Sequence, residues 1–187
     1  METANRCPWC VGDALYEKYH DEEWGKPQRN PDALFEKLCL ESFQAGLSWK
    51  TILHRRKAFR EAFDGFNAVK IAKYDEEKIT ELLNNASIIR HRKKIEAVIH
   101  NAKAYLALSE QVHFSDWIWE TVNGTPKVNH PVELKDIPAI TPESTALHAR
   151  LKEAGFVFLG PTTVYAFMQS CGLVNDHLTS CHAYVGP

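Results

Sequence analysis

Residues 30–53 read NPDALFEKLCLESFQAGLSWKTIL, and their punctuation is helical. Asn30 is a capping residue, Pro31 suits the first helical position, and Gly46 is a stop. Between them Leu34, Phe35, Leu38 and Cys39 recur at helical spacing and form an apolar stripe. Ser48 then caps a second helix, on which Trp49, Ile52, Leu53, Phe59 and Phe63 share one face.

The same grammar runs outward from this pair. Asn67 and Asp75 cap two shorter helices. Residues 90–108 form a longer one, with Ile95, Val98, Ile99, Ala102 and either Tyr105 or Leu106 facing inward. Residues 115–124 form a short helix that ends at Asn123-Gly124. Residues 124–141 contain three prolines and read as a long connection. Thr141-Pro142 opens a helix that Gly155 ends, and Gly160-Pro161 opens another that Gly172 closes. GFVFLG, residues 155–160, is the one candidate strand. The prediction is an all-α protein of many short helices, with residues 1–187 as a single domain of two helical lobes.

Composition narrows the function classes. A chain of 187 residues buries a real core without disulfide support. Its net charge of -2 gives no global signature for nucleic acid, so any such surface is local. No apolar run is long enough to span a membrane. METANRCPWC at the start lacks the apolar run of an export signal. Five cysteines without such a signal imply a reducing, cytoplasmic setting, where thiols serve as core residues, metal ligands or catalysts.

His177 and Cys181 stand at the spacing of two metal ligands on adjacent turns. Partners exist near the other end of the chain. One set is Cys7, His20, His177 and Cys181, and the other is Cys7, Cys10, His177 and Cys181. By spacing alone the two compete evenly. CPWC also has the form of a redox dithiol, although its surroundings are helical. Four protein ligands close a tetrahedral zinc and leave no place for water, so either set is structural and fastens the two termini.

A second cluster points to a flat ligand. Glu41 follows Leu38 by three residues and Leu34 by seven, on their side of the helix, with Gln44 one turn further. A carboxylate on an inner face must be paired or face a cavity. Trp9, Tyr16, Tyr19, Trp24 and Trp49 supply aromatics, and an aromatic box with one carboxylate suits a flat cation. Leu47 after Gly46 projects at a turn, where an apolar tip can wedge between bases. The basic runs HRRK (54–57) and RHRKK (90–94) are local; the second lies at a helix start, which the helix dipole does not favour for cations. Gly160-Pro161 opens a helix with Thr162 and Thr163 beside free N–H groups, a fit for phosphate.

Five segments then carry a likeness: RCPW, YEKYHDEEWG, LFEKLCLESFQAGLSWKTIL, IIRHRKKIEAVIHNAKAYL and GFVFLGPTTVYAFMQSCGLVNDH. They span nearly the whole chain. Through them the chain resembles the bacterial DNA-3-methyladenine glycosylase I family, a divergent branch of the helix-hairpin-helix glycosylases. The resemblance implies one structural zinc held by Cys7, His20, His177 and Cys181, with Cys10 a departure that the motif does not require. It implies a base pocket of Glu41, Tyr19 and Trp49, with Tyr16, Trp24 and Trp9 nearby. It maps the wedge to Gly46 and Leu47, and the DNA-gripping hairpin to Gly160, Thr162 and Thr163. Asp176 is not given a catalytic role, because the family is described as lacking the superfamily aspartate. The implied activity is hydrolysis of the N-glycosidic bond of 3-methyladenine in alkylated duplex DNA, a base-excision repair step taken by a monomer.

Overall fold

The computed structural model describes residues 5–186. Among them nine α-helices follow one another: α1 (Ala14–Glu22), α2 (Pro31–Gln44), α3 (Trp49–Ala62), α4 (Ala68–Ile71), α5 (Glu76–Asn84), α6 (Arg92–Ser109), α7 (Phe114–Trp119), α8 (Pro142–Glu153) and α9 (Pro161–Ser170). Residues 1–4, which the reading of the N-terminus included, and residue 187 lie outside the described residues.

Side-chain caps start most of these helices where the sequence placed them. Asn30, Ser48, Asn67, Asp75 and Thr141 each accept a first-turn backbone N–H. Helix α2 is the centre of the molecule and packs against α3, α6, α7 and α9. From Leu34 to Phe43 every residue of α2 is buried except Glu36, and that run includes the charged Lys37 and Glu41. On α6, Tyr105 is the buried inner residue and Leu106 is only partly buried.

Two expectations change. Residues 155–160 are not a strand. Phe156 and Leu159 are buried while Val157 and Phe158 are exposed, the in-out-out-in order of a tight turn. Phe158 takes a positive φ of 63°, and the Asn101 amide clamps Val157 at both its N–H (2.8 Å) and its carbonyl (3.1 Å). The long connection after Gly124 is also not wholly irregular. Its residues Lys127–Val128 (β1) pair in parallel with Val174–Asn175 (β2), with Lys127 opposite Val174. That pairing draws the connection across the C-terminal segment.

The turn at Gly172 admits only glycine. Its φ is +67°, and a Cβ there would lie 2.3 Å from the Lys26 carbonyl carbon. The segment before α2 is thereby pressed onto the end of α9, where the Gly25 N–H also donates to the Gln169 carbonyl at 3.0 Å. This contact sets α1 and its neighbours beside α2 and α9.

Candidate functional site

Two assemblies stand out, and they share α1. The first is a chamber of about 210 Å3 lined by Trp9, Tyr16, Tyr19, Trp24, Glu41, Gln44, Trp49, Ile137, Ala166 and Gln169. Ordinary small-molecule sites run from about 300 to 1,000 Å3, so this one suits a single heterocycle. Every aromatic side chain singled out for the pocket in the sequence is here. Trp9 lies 5.0 Å from Trp24 and 4.9 Å from Tyr16, and Tyr19 lies 5.4 Å from Trp49, as ring centroids. Their mutual tilts leave faces and edges turned toward one space rather than a closed stack.

Two polar atoms in that wall are buried and without a partner: Glu41 Oε2 and Trp49 Nε1. One is an acceptor and the other a donor. Buried polar atoms are otherwise almost always bonded, because an unmade bond costs about 1–3 kcal/mol. Their residues line the same small aromatic chamber, which suits a polar, planar guest. Burial pushes the Glu41 carboxyl up to about 8, against downward pulls from the Lys37 ammonium one turn earlier and from the nearby Ser170 hydroxyl. Lys37 cannot neutralise it fully, since its Nζ lies 3.3 Å from Glu23 Oε2, in an ion pair that Arg56 joins at 2.6 and 2.7 Å.

Beside it, Glu41, Gln44, Ala45, Gly46, Leu47, Thr162, Thr163 and Ala166 line a second groove. Leu47 is 42 % exposed, and Gly46 takes a φ of +79° to turn the chain. Lys94 holds this turn from below: its Nζ donates to the carbonyls of Phe43 (2.8 Å) and Ala45 (2.6 Å), which the end of α2 leaves free. Gly160, with no side chain to cap α9, stands before Thr162 and Thr163.

The basic runs resolve mainly into structural pairs. Arg92 bonds Glu76 and Glu96, Lys94 is the buried prop, Arg56 pairs with Glu23, and Arg55 donates to the Ala86 carbonyl. Arg90 and Lys93 remain exposed at the start of α6.

The second assembly is the meeting of the two ends of the chain. Ligand atoms of Cys7, His20, His177 and Cys181 all lie within 4.8 Å of one another, and all four residues are buried. Cys181 Sγ is 3.4 Å from His20 Nε2 and 3.6 Å from His177 Nδ1, and Cys7 Sγ is 3.8 Å from His177 Nδ1. A tetrahedron with metal–ligand bonds of about 2.0–2.3 Å has edges of roughly 3.3–3.8 Å. The ring nitrogens are sorted in the same sense. His177 Nε2 is 3.2 Å from the Trp24 carbonyl, and His20 Nδ1 is 2.8 Å from Asp21 Oδ1. Both outer nitrogens thus donate, which leaves His177 Nδ1 and His20 Nε2 as lone pairs facing two thiols. Arg6 in turn grips Asp21 at 2.8–3.0 Å.

Cys10 stands outside this group. Its Sγ donates to the Cys7 carbonyl at 3.2 Å, so the set that used it is not the one the fold assembles. CPWC forms a short turn, and of its two cysteines only Cys7 joins the group.

Several lining residues escaped the sequence reading: Ile137, Ala166 and Gln169. For the α9 pair a signal existed, since Thr162, Ala166 and Gln169 share one helical face. Ile137 comes from the long connection and had none. Asp176, set aside as a catalyst, is 1 % exposed and accepts from Asn129 (2.6 Å), Tyr165 (2.6 Å) and Gln169 (2.8 Å). A carboxylate with three donors is a fixed strut.

Known proteins resemble the chain throughout. The profile of the methyladenine glycosylase family matches residues 9–184. The DNA-3-methyladenine glycosylase of Haemophilus influenzae is 52 % identical over 94 % of this chain and 96 % of its own length. DNA-3-methyladenine glycosylase 1 of Escherichia coli is 48 % identical, with 97 % of each chain covered. Among solved structures, a 3-methyladenine DNA glycosylase I superposes with a TM-score of 0.94 at 48 % identity, over 96 % of this chain and 100 % of that one. The Staphylococcus aureus enzyme, in a structure concerned with 3-methyladenine recognition, superposes with a TM-score of 0.93 at 38 % identity over 97 % of each chain.

Proposed function

Because the chain belongs to the methyladenine glycosylase family, we propose that it hydrolyses the N-glycosidic bond of 3-methyladenine in alkylated duplex DNA. The observation that carries the reading is the pair of unpartnered atoms, Glu41 Oε2 and Trp49 Nε1, on residues that line a one-base aromatic chamber.

Methylation at N3 makes the nucleobase cationic and weakens its bond to the sugar. The lesion is extruded from the duplex into the chamber, and Leu47 fills the gap it leaves at the turn made by Gly46. Tyr19 and Trp49 receive the ring, each contact contributing ~0.5–2 kcal/mol for a cation on an aromatic face. Tyr16, Trp24 and Trp9 complete the walls. Glu41 ionises when the cation arrives, because the guest supplies the charge that burial had denied it. Neutral adenine supplies none, so it leaves the carboxylate uncompensated and is disfavoured. The C1′–N9 bond then breaks with its electron pair going to the base, which leaves as neutral 3-methyladenine. Water adds its oxygen to C1′, its proton passes to solvent, and an abasic site remains.

Gly160, Thr162 and Thr163 open α9 as a phosphate grip, the hairpin feature of the helix-hairpin-helix superfamily. Cys7, His20, His177 and Cys181 would hold one zinc. When bound it would supply a structural tie between the chain ends. That tie holds α1, and with it Tyr16 and Tyr19, against the rest of the pocket. The enzyme works as a single-domain, cytoplasmic monomer on double-stranded DNA.

The test is release of free base from methylated duplex DNA. We expect 3-methyladenine in the soluble fraction and abasic sites in the DNA. Binding to the alkylated duplex without any base release contradicts the proposal and leaves a binding module.

A further inference from the structure

The chamber has a second polar wall, and its orientation is fixed from behind. Gln169 lines the chamber together with Glu41 and Trp49, on the α9 face it shares with Thr162 and Ala166. Its Nε2 donates to Asp176 Oδ2 at 2.8 Å. Asp176 lies outside the chamber, in the wall of the neighbouring cavity. The same Oδ2 accepts the Tyr165 hydroxyl at 2.6 Å, and Oδ1 accepts the Asn129 amide at 2.6 Å. A carboxylate offers only acceptors, so the end of the Gln169 side chain that meets it must be the NH2 group. The carbonyl Oε1 is the other end of the same planar amide. The backbone is held as well, since the Gln169 carbonyl accepts the Gly25 N–H.

We propose that Gln169, set by Asp176, is a specificity-determining residue that presents a fixed hydrogen-bond acceptor to the exocyclic amine of the bound purine. This rests on the base-pocket reading above and sharpens it to a substrate class. A 6-amino purine carries a donor at that edge, whereas a 6-oxo purine carries an acceptor. An amide free to rotate would serve either base. Asp176 removes that freedom, so a 6-oxo base meets oxygen against oxygen. The carboxylate thereby acts as a positioning residue at one remove from the guest, a use consistent with its having no bonding capacity aimed into the chamber.

The test is a cycle between one protein group and one ligand group. Dissociation constants are measured by titration calorimetry for 3-methyladenine and for 3-methylpurine, the same ring without the amine. The proteins are wild type and Gln169→Met, a substitution of similar length with no polar amide. Wild type should prefer 3-methyladenine by about tenfold, the value of one well-made bond to a fixed partner. In Gln169→Met the preference should fall by threefold or more. A smaller change overturns the inference. Asp176→Asn should shift the preference in the same direction, whereas a merely structural Asp176 would lower the melting temperature and leave the preference alone. If Asp176→Asn does not fold, the Gln169→Met result decides by itself. Should wild type bind neither base, the base-pocket reading fails; should it bind both and Gln169→Met keep the full preference, only the present inference fails.

Discussion

Replacing Glu41 with Gln isolates a charge at nearly constant shape. The carboxyl is 3 % exposed, and burial holds it at about 8. At pH 7 its ionisation therefore costs about 1.4 kcal/mol, one unit at 1.36 kcal/mol each. A cationic base about 4 Å away returns roughly 4 kcal/mol at an effective dielectric of 20. The net advantage of Glu over Gln is then about 2.5 kcal/mol, or on the order of 100-fold in kcat/KM. The assay is single-turnover and steady-state release of 3-methyladenine from methylated duplex DNA, parent against Glu41→Gln, across pH. Between pH 7 and 9 the parent should gain about tenfold, as the empty pocket passes through the Glu41 value and the ionisation cost vanishes. Glu41→Gln should show no such rise. If the variant works within threefold of the parent and follows the same pH profile, the charge argument is wrong.

The same carboxyl affects stability. Its folded value near 8 lies above the ordinary 4.5, so the native state keeps a proton that the unfolded chain has lost. Folding stability from this group is thus full below pH 4.5 and declines as pH rises to about 8. Glu41→Gln removes that decline, and calorimetry should find its melting temperature gaining on the parent between pH 5 and 8.5; a constant difference would contradict this. Cys181→Ser should abolish stoichiometric zinc and cost on the order of 4 kcal/mol, or about 8–16 °C in melting temperature. Activity per folded molecule should hold, and a variant that loses metal but keeps its melting temperature would refute the structural role. Leu47→Ala should lower excision from duplex DNA about tenfold, with little change on a single-stranded lesion that needs no gap filled. Equal losses on both substrates would argue against a wedge.

The sequence showed the helical skeleton well because caps and stops are local. Asn30, Ser48, Asp75 and Thr141 act through bonds to residues three ahead, so nothing distant decides them. The inward turn of Glu41 was visible for a similar reason: helical phase relative to Leu34 and Leu38 needs no tertiary knowledge. By spacing alone the metal group was visible only as two competing sets, between which the family resemblance chose. What separates them is that Cys10 Sγ turns to its own local carbonyl, a matter of turn geometry that spacing does not encode. GFVFLG misled because four apolar residues between glycines match a strand, whereas the Asn101 clamp that bends them comes from 56 positions away. Lys94 and Asp176 were opaque in the same way. A lysine at a helix start reads as surface until α2 is seen ending against it, and an aspartate after a glycine turn reads as loop until Asn129, Tyr165 and Gln169 converge on it.

The most direct measurement is a crystal structure of the protein with 3-methyladenine. The base should lie among Tyr19, Trp49 and Tyr16, with Glu41 Oε2 and Trp49 Nε1 each within normal hydrogen-bond distance of it, about 2.7–3.2 Å. A base bound elsewhere, or one held in the chamber while both of those atoms stay without a partner, would contradict the assignment of the site.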